Sequence, residues 1–289
     1  MPNAVEPPTE SPTRLSAAYE LLAGGDGAPW RPLAGGTDLM VQMTGEIGEP
    51  PARIVDLWGI DELRGIEVAG DALTIGALST YTELRRSTAV AEIVPALAAA
   101  AATIGAAQIQ NRGTIGGNVI NASPAGDTLP VLLAVGAEMV LGSAHGERVV
   151  AADDFWPSYR TTARRDDELL VRIRIPVVAD REVRFRKVGT RRAQAISKVV
   201  MALAWRPSGD DRWTDVRLAL GSIAATTTRA QAAESAMEGR TPGRETADAA
   251  AAALVGEIAP IDDVRSTAGY RRAVAGRVLH RLIRDAGGW

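Results

Sequence analysis

Cysteine is absent from the 289 residues of this chain, and histidine occurs only twice, at His145 and His280. A chain without thiols forms no disulfide, has no thiol nucleophile and holds no cysteine-ligated iron–sulfur cluster. Two histidines far apart in sequence do not make a multi-histidine zinc or iron site, so we expect no metal site.

Long basic runs and long apolar runs are also missing. The net charge is −3, so neither nucleic acid nor an anionic membrane surface is an expected partner. The longest apolar stretches, 94–107 and 129–141, are too short and too interrupted for a membrane span. The proline-rich start does not resemble a signal peptide. We therefore expect a cytoplasmic protein with a flexible N-terminus over residues 1–14.

The hydrophobic pattern that is present divides the chain into three units. Residues 15–64 alternate short helices and strands, and residues 65–176 combine strands with alanine-rich helices. In the second unit Thr80 and Glu83 fit a capping box, and residues 119–120 fit a short strand. After a linker near Pro176, residues 181–289 place strands before helices, which is typical of an α+β domain.

Two glycine-containing loops carry the chemistry. The first, LAGGTDL at 33–39, follows an apolar strand, and the second, GTIGGN at 113–118, follows a helix predicted over 95–104. Paired glycines let backbone N–H groups approach an anion closely, and Leu39 begins a segment with helical character whose positive end would face a phosphate. Two such loops could hold a pyrophosphate from both sides. Neither loop is a P-loop or a G-x-G-x-x-G fingerprint.

The combination of motifs resembles the FAD-binding subunit of the xanthine dehydrogenase and carbon monoxide dehydrogenase family of molybdenum hydroxylases. The resemblance covers residues 15–283 and rests on AGGTDL (34–39), TIGGN (114–118), NASPAGD (121–127), KVGTRRAQAISKV (187–199) and YRR (270–272). It implies an α+β chain with a PCMH or vanillyl-alcohol-oxidase-type FAD-binding fold of two subdomains. A C-terminal α+β domain of the carbon monoxide dehydrogenase flavoprotein type would follow.

The resemblance also implies which residues contact FAD. Those expected around the pyrophosphate are Pro32, Leu33, Ala34, Gly35, Gly36, Thr37, Asp38, Leu39, Thr114, Ile115, Gly116, Gly117 and Asn118. Those expected around the ribityl chain and the flavin ring are Ile104, Asn121, Ser123, Asp127, Leu170 and Lys187.

Three of these residues have an alternative structural interpretation. Asp127 could cap the helix that follows it, as well as or instead of contacting the ribityl chain. Lys187 would favour negative charge on the flavin ring if it lies beside the ring, but it could also be an exposed strand lysine. Ile104 either covers one flavin face or is an ordinary core residue.

The resemblance implies no catalytic residue in this chain. It implies an electron-transfer flavoprotein subunit in a dimer of heterotrimers. A large partner would hold the molybdenum cofactor and oxidise the substrate, and a small partner would hold the iron–sulfur clusters. The missing cysteines agree with clusters in another chain. Two alternatives remain open at this point: a free-standing FAD-dependent oxidoreductase of the same fold, and a non-catalytic assembly protein without FAD.

Overall fold

The computed structural model of the chain describes residues 6–24, 27–43, 49–191 and 194–289. Within these ranges the strands form three sheets, and we describe the fold as three units, one around each sheet. The segment with helical character that begins at Leu39 is expected to end at residue 44; that residue and residues 192–193 of the 187–199 motif lie outside these ranges.

The first unit is a small parallel sheet with short helices. Its strands are β1 (Thr9–Glu10), β2 (Trp30–Leu33) and β3 (Arg53–Asp56), in the order β1-β3-β2. Its helices are α1 (Leu15–Ala23), α2 (Leu39–Met43) and a 3₁₀ turn at Asp61–Leu63. Pairing of β1 with β3 places part of the expected flexible N-terminus in this sheet.

The second unit is a five-stranded antiparallel sheet covered by short helices. Its strands, in the order β4-β5-β8-β6-β7, are β4 (Ile66–Ala69), β5 (Ala72–Gly76), β6 (Glu138–Ser143), β7 (Gly146–Ala151) and β8 (Leu169–Pro176). Its helices are α3 (Tyr81–Arg86), α4 (Thr88–Ile93), α5 (Pro95–Ala101), α6 (Ala107–Arg112), α7 (Ile115–Asn121), α8 (Leu129–Ala134) and α9 (Ala152–Phe155).

The first two units share one small core. Val55 and Leu57 of the first unit pack in the same buried cluster as Leu78, Leu169 and Val171 of the second. Neither unit therefore has a complete core of its own, because each buries part of its apolar surface against the other. The boundary between them is where a cleft opens.

Local sequence rules account for one predicted feature of the second unit and fail for another. The capping box at α3 is confirmed: Thr80 Oγ1 accepts from the Glu83 amide at 3.2 Å, and Glu83 Oε2 accepts from the Thr80 amide at 2.6 Å. The strand predicted at 119–120 is wrong, because these residues lie in α7. Ile115 and Val119, four residues apart and both fully buried, form the inner face of that helix. A short apolar run does not by itself distinguish strand from helix.

The C-terminal unit is an antiparallel sheet with helices on one face. Its strands, in the order β12-β11-β10-β9, are β9 (Glu182–Val188), β10 (Val199–Pro207), β11 (Trp213–Gly221) and β12 (Thr228–Arg229). Its helices are α10 (Gln231–Met237), α11 (Arg244–Glu257) and α12 (Ala268–Gly287). No helix in the described ranges is both long and apolar enough to cross a membrane.

Both faces of the C-terminal sheet are buried, with side chains of different size. On β10, Met201 and Leu203 belong to the core beneath α10–α12, whereas Ala202 and Ala204 belong to the core of the second unit. Successive strand residues point to opposite faces, so the large side chains of β10 lie on the face toward α10–α12 and the small ones on the face toward the second unit. The small alanines let the C-terminal sheet lie close to the second unit.

Candidate functional site

A cleft lies between the first two units, with an empty volume of about 1020 Å³ including the part open to solvent. Most of the residues expected around FAD line it: Pro32, Leu33, Ala34, Gly35, Gly36, Thr37, Asp38, Leu39, Thr114, Gly116, Gly117, Asn118, Asn121 and Leu170. The tertiary fold thus brings together loops that are about eighty residues apart in sequence.

The first glycine loop connects β2 to α2 and presents its main chain to the cleft. Within the described residues, the amides of 34–38 donate no hydrogen bond to another part of the chain. Gly36 has a left-handed backbone, with φ 79°, which favours glycine. A Cβ on Gly35 would lie 1.8 Å from the Arg112 carbonyl oxygen, so this glycine is needed for close packing on the second unit.

The second glycine loop differs from what the sequence led us to expect, because its amides are already used. Gly116 N donates to the Ala77 carbonyl at 2.9 Å, Gly117 N donates to Thr114 Oγ1 at 3.1 Å, and Asn118 N donates to the Thr114 carbonyl at 3.1 Å. A Cβ on Gly116 would lie 2.6 Å from that Ala77 oxygen. Gly116 therefore serves the packing of α7, and the loop contributes side chains rather than main-chain donors.

Two asparagine side chains of α7 face the cleft in a fixed orientation. Asn118 Oδ1 accepts from Thr128 Oγ1 at 2.5 Å, which leaves its NH₂ group for a ligand. Asn121 Oδ1 accepts from Arg160 Nη1 at 2.9 Å. Both amides are thus oriented by the protein as donors.

Five of the expected residues do not line the cleft: Ile104, Ile115, Ser123, Asp127 and Lys187. Ile115 is fully buried in the core of the second unit. Ser123 Oγ accepts from the Ala125 amide at 3.3 Å within its own turn. Ile104 packs on the edge of the core, and its carbonyl accepts from Gln110 Nε2 at 3.0 Å.

Asp127 and Lys187 form a buried ion pair between the second unit and the C-terminal unit. Lys187 Nζ lies 2.5 Å from Asp127 Oδ2, and the two side chains are 8% and 6% exposed. Thr103 Oγ1 donates to the same oxygen at 3.1 Å. Burial raises the pKa of Asp127, while Lys187 and Thr103 act to lower it. The other carboxylate oxygen, Oδ1, is buried without a hydrogen-bond partner among the described residues.

This pair removes two alternatives that the sequence left open. Asp127 does not cap α8, because the N-cap residue is Thr128 and no side chain bonds to the amides of that helix end. Lys187 is not an exposed strand lysine. A buried lysine and a buried carboxylate are costly to desolvate unless they pair, and here each provides the other's counter-ion.

Among the cleft residues that reasoning from the sequence missed, three have ionisable side chains: Arg31, Arg164 and Tyr81. Burial lowers the pKa of the Arg164 guanidinium, and the charge of nearby Arg31 acts in the same direction. Burial also raises the pKa of Tyr81, with Asp38 and Asp127 adding to the effect, so its hydroxyl remains protonated. No local sequence pattern would have identified them, because the two arginines lie far apart in the sequence and Tyr81 simply follows the N-cap residue of α3.

The charge of the lining suits an anionic ligand. Arg31 and Arg164 are its basic residues and Asp38 its acidic one, among the residues that the structure describes. Arg164 is held in place because its Nη1 donates to the carbonyls of Arg165 and Glu168 at 2.7 and 2.8 Å. Free main-chain amides and a fixed guanidinium together match the oxygens of a phosphate group.

Comparison with known proteins supports a cofactor site here. A family model described as the FAD binding domain in molybdopterin dehydrogenase matches residues 6–178, and one described as the CO dehydrogenase flavoprotein C-terminal domain matches residues 184–286. The carbon monoxide dehydrogenase medium chain of Hydrogenophaga pseudoflava is 32% identical, over 96% of this chain and 95% of that one. The xanthine dehydrogenase FAD-binding subunit of Escherichia coli O157:H7 is 30% identical, over 95% of each.

The backbone of this chain is also similar to that of solved structures. A solved structure of carbon monoxide dehydrogenase from Hydrogenophaga pseudoflava, which lacks the Mo-pyranopterin moiety of its molybdenum cofactor, matches with a TM-score of 0.90 and 33% identity. The match covers 96% of both chains, so it includes all three units.

Proposed function

This chain belongs to the family of FAD-binding subunits of molybdopterin dehydrogenases, and on that premise we propose that it relays electrons within a multi-subunit complex. It would take them from the iron–sulfur clusters of a partner subunit and pass them to an external acceptor. The observation that carries the proposal is the cleft, because free main-chain amides and two arginines line it in a chain that matches the FAD-binding family model.

The residues of the cleft fit the diphosphate of FAD. The free amides of 34–38 supply donors on one side, and the oriented Asn118 amide supplies one on the other. Arg31 and Arg164 supply positive charge, and the protonated Tyr81 hydroxyl supplies a neutral donor. When bound, FAD supplies two-electron and one-electron transfer, which is chemistry that amino-acid side chains lack.

The role of the protein at the flavin end is to hold and shield the ring. Leu170 offers an apolar wall in the cleft. We also propose that Ile104 covers one face of the ring. We further propose that the Asp127–Lys187 pair lies behind the ribityl chain, where the free Oδ1 would accept a ribityl hydroxyl. A cation held there would favour negative charge on the ring.

Partner subunits follow from what this chain lacks. The chain contains no cysteine, so it cannot ligate the usual iron–sulfur clusters. We propose that a small iron–sulfur subunit and a large molybdenum-cofactor subunit, where the substrate is oxidised, complete a heterotrimer. Two heterotrimers would form the assembly.

Purification of the chain from its native source tests this proposal. We expect a flavin absorbance spectrum, FAD identified by mass spectrometry, and co-purification of two further subunits that contain molybdenum and iron. A yellow protein that is active without partners would instead indicate a free-standing oxidoreductase. A colourless chain that fails to take up added FAD would contradict the proposal and would favour an assembly role.

A further inference from the structure

The YRR motif on α12 includes a buried arginine that the proposed function leaves without a role. The side chain of Arg271 is 6% exposed. Its Nη2 donates to Asp263 Oδ1 at 2.6 Å, and its Nη1 donates to the carbonyl of Ser222 at 2.9 Å. Asp263 is itself fixed, because its Oδ1 accepts from the amides of Arg265 and Ser266 at 2.9 and 3.0 Å. A guanidinium desolvated in this way holds one orientation.

Ser222, which Arg271 contacts, has an unusual backbone. It follows β11 with φ 65°, a left-handed conformation that non-glycine residues rarely adopt. All of its polar groups are bonded: the carbonyl to Arg271, the amide to the Pro124 carbonyl at 2.8 Å, and the hydroxyl to Ser197 Oγ at 2.9 Å. A strained residue persists where its surroundings fix it in this way.

Ser222 and its neighbours hold the segment 121–127 of the second unit. Besides the bond to Pro124, Ser197 Oγ donates to the Ala125 carbonyl at 3.1 Å. The approach is close, because a Cβ on Gly221 would lie 2.7 Å from the Pro124 oxygen. The two ends of this segment are Asn121, which lines the cleft, and Asp127, which pairs with Lys187.

We propose that Arg271 is a positioning residue for the flavin site. Through Ser222 it fixes the segment 121–127, and thereby the positions of Asn121 and Asp127 relative to bound FAD. The proposal rests on the proposed function, since it concerns the same cleft. It assigns to the C-terminal unit the task of setting the geometry of a cofactor bound between the other two.

The test compares Arg271→Met with Arg272→Met in the full chain. Arg271→Met removes both hydrogen bonds with little change in volume. Among the described residues, Arg272, the next residue, makes one long hydrogen bond, from Nε to the Ile258 carbonyl at 3.4 Å, and it serves as the matched control. The measurements are the dissociation constant for FAD, from flavin fluorescence quenching, and the visible circular dichroism of the bound flavin.

We expect Arg271→Met to bind FAD about tenfold more weakly, or about 1.4 kcal/mol, because Asn121 and Asp127 are no longer held in place, and to change the flavin circular dichroism. Arg272→Met should match the wild type in both. Because a buried arginine also affects folding, Ser197→Ala provides a second, smaller change. It removes one hydroxyl from the same connection and should alter the flavin circular dichroism in the same direction.

The outcomes separate the two proposals. A wild-type chain that binds no FAD would overturn the proposed function and this proposal with it. Suppose instead that the wild type binds FAD and that Ser197→Ala and Arg271→Met both have the wild-type dissociation constant and the wild-type flavin circular dichroism. This result would overturn the positioning role alone. Lower thermal stability with an unchanged flavin spectrum would likewise reduce Arg271 to a structural residue.

Discussion

At the scale of single residues, the two glycines of the first loop have different functions. Gly35 allows the loop to contact Arg112, whereas Gly36 provides a left-handed turn that keeps the neighbouring amides directed at the cleft. Because Gly70, in the turn between β4 and β5, also has a positive φ, of 63°, and has open space around it, it offers a matched comparison.

We expect Gly36→Ala and Gly70→Ala to lose similar stability, about 1–2 kcal/mol each, from the left-handed backbone. FAD affinity should fall about tenfold in Gly36→Ala alone, because a Cβ there would lie 3.3 Å from Met40 Cγ and displace the loop amides. Denaturant unfolding and FAD titration of both variants provide the measurement. Equal FAD affinity in the two variants would contradict a main-chain phosphate site.

Lys187 gives a second residue-scale prediction, which concerns pH. In Lys187→Met the buried Asp127 loses its cation, so burial raises the pKa of Asp127 in the folded chain further above the unfolded value of about 3.9. The folded chain then binds this proton more tightly than the unfolded chain, and stability falls as pH rises through the folded-state pKa. The loss relative to wild type should be smallest below about pH 4 and reach about 3–5 kcal/mol above that pKa.

Urea unfolding across a pH series measures this effect. The double variant Lys187→Met with Asp127→Asn lacks the titrating carboxyl, so the fall in its own stability that comes from Asp127 should be absent over the same range. If the single variant also showed a pH-independent loss, the pair would not be the buried contact that the structure describes.

At the scale of elements, α7 depends on its N-cap. Thr114 Oγ1 accepts from the Gly117 amide and is the only side-chain cap at that helix end among the described residues. Thr114→Val keeps the side-chain shape but leaves this amide without an acceptor, which should cost about 1 kcal/mol. Because α7 carries Asn118 and Asn121, FAD binding should weaken as well.

Thr114→Ser is the control for this prediction, since it retains the hydroxyl. We expect thermal denaturation and FAD titration to place it close to the wild type. If the valine variant matched the serine variant in both measurements, the cap would not contribute to holding α7.

At the scale of the whole molecule, the C-terminal unit is docked on the second unit by small side chains and by charge. Ala202 and Ala204 of β10 face the core of the second unit, and Asp153 of that unit pairs with Arg217 and Arg229 of the C-terminal unit at 2.7 and 3.2 Å. Since the Asp127–Lys187 pair crosses the same boundary, separating the units would also displace a residue expected beside the flavin.

Ala202→Leu tests this docking. The larger side chain overfills the boundary and should lower the free energy of unfolding by about 1–3 kcal/mol. Ala249→Leu, on the exposed face of α11, should stay within about 0.5 kcal/mol of the wild type. Chemical denaturation measures both, and equal stabilities would show that the boundary is loosely packed.

The sequence by itself determined the family, the α+β fold class and the two glycine loops. These features are local: a glycine pattern, a capping box and alternating hydrophobicity each act over a few residues, so each is visible in the sequence. The family assignment and fold class are confirmed by the family models and by the structural match. FAD contact by each residue stays a prediction.

Only the tertiary structure decided which groups are free for a ligand. It shows that three amides of the second loop, those of residues 116–118, donate hydrogen bonds to Ala77 and Thr114. It also shows that Asp127 pairs with a lysine sixty residues away instead of capping α8. It also brings Arg31, Arg164 and Tyr81 into one cleft. These outcomes depend on contacts between distant segments, and such contacts are set by how the three units bury their apolar faces against one another, which no local pattern encodes.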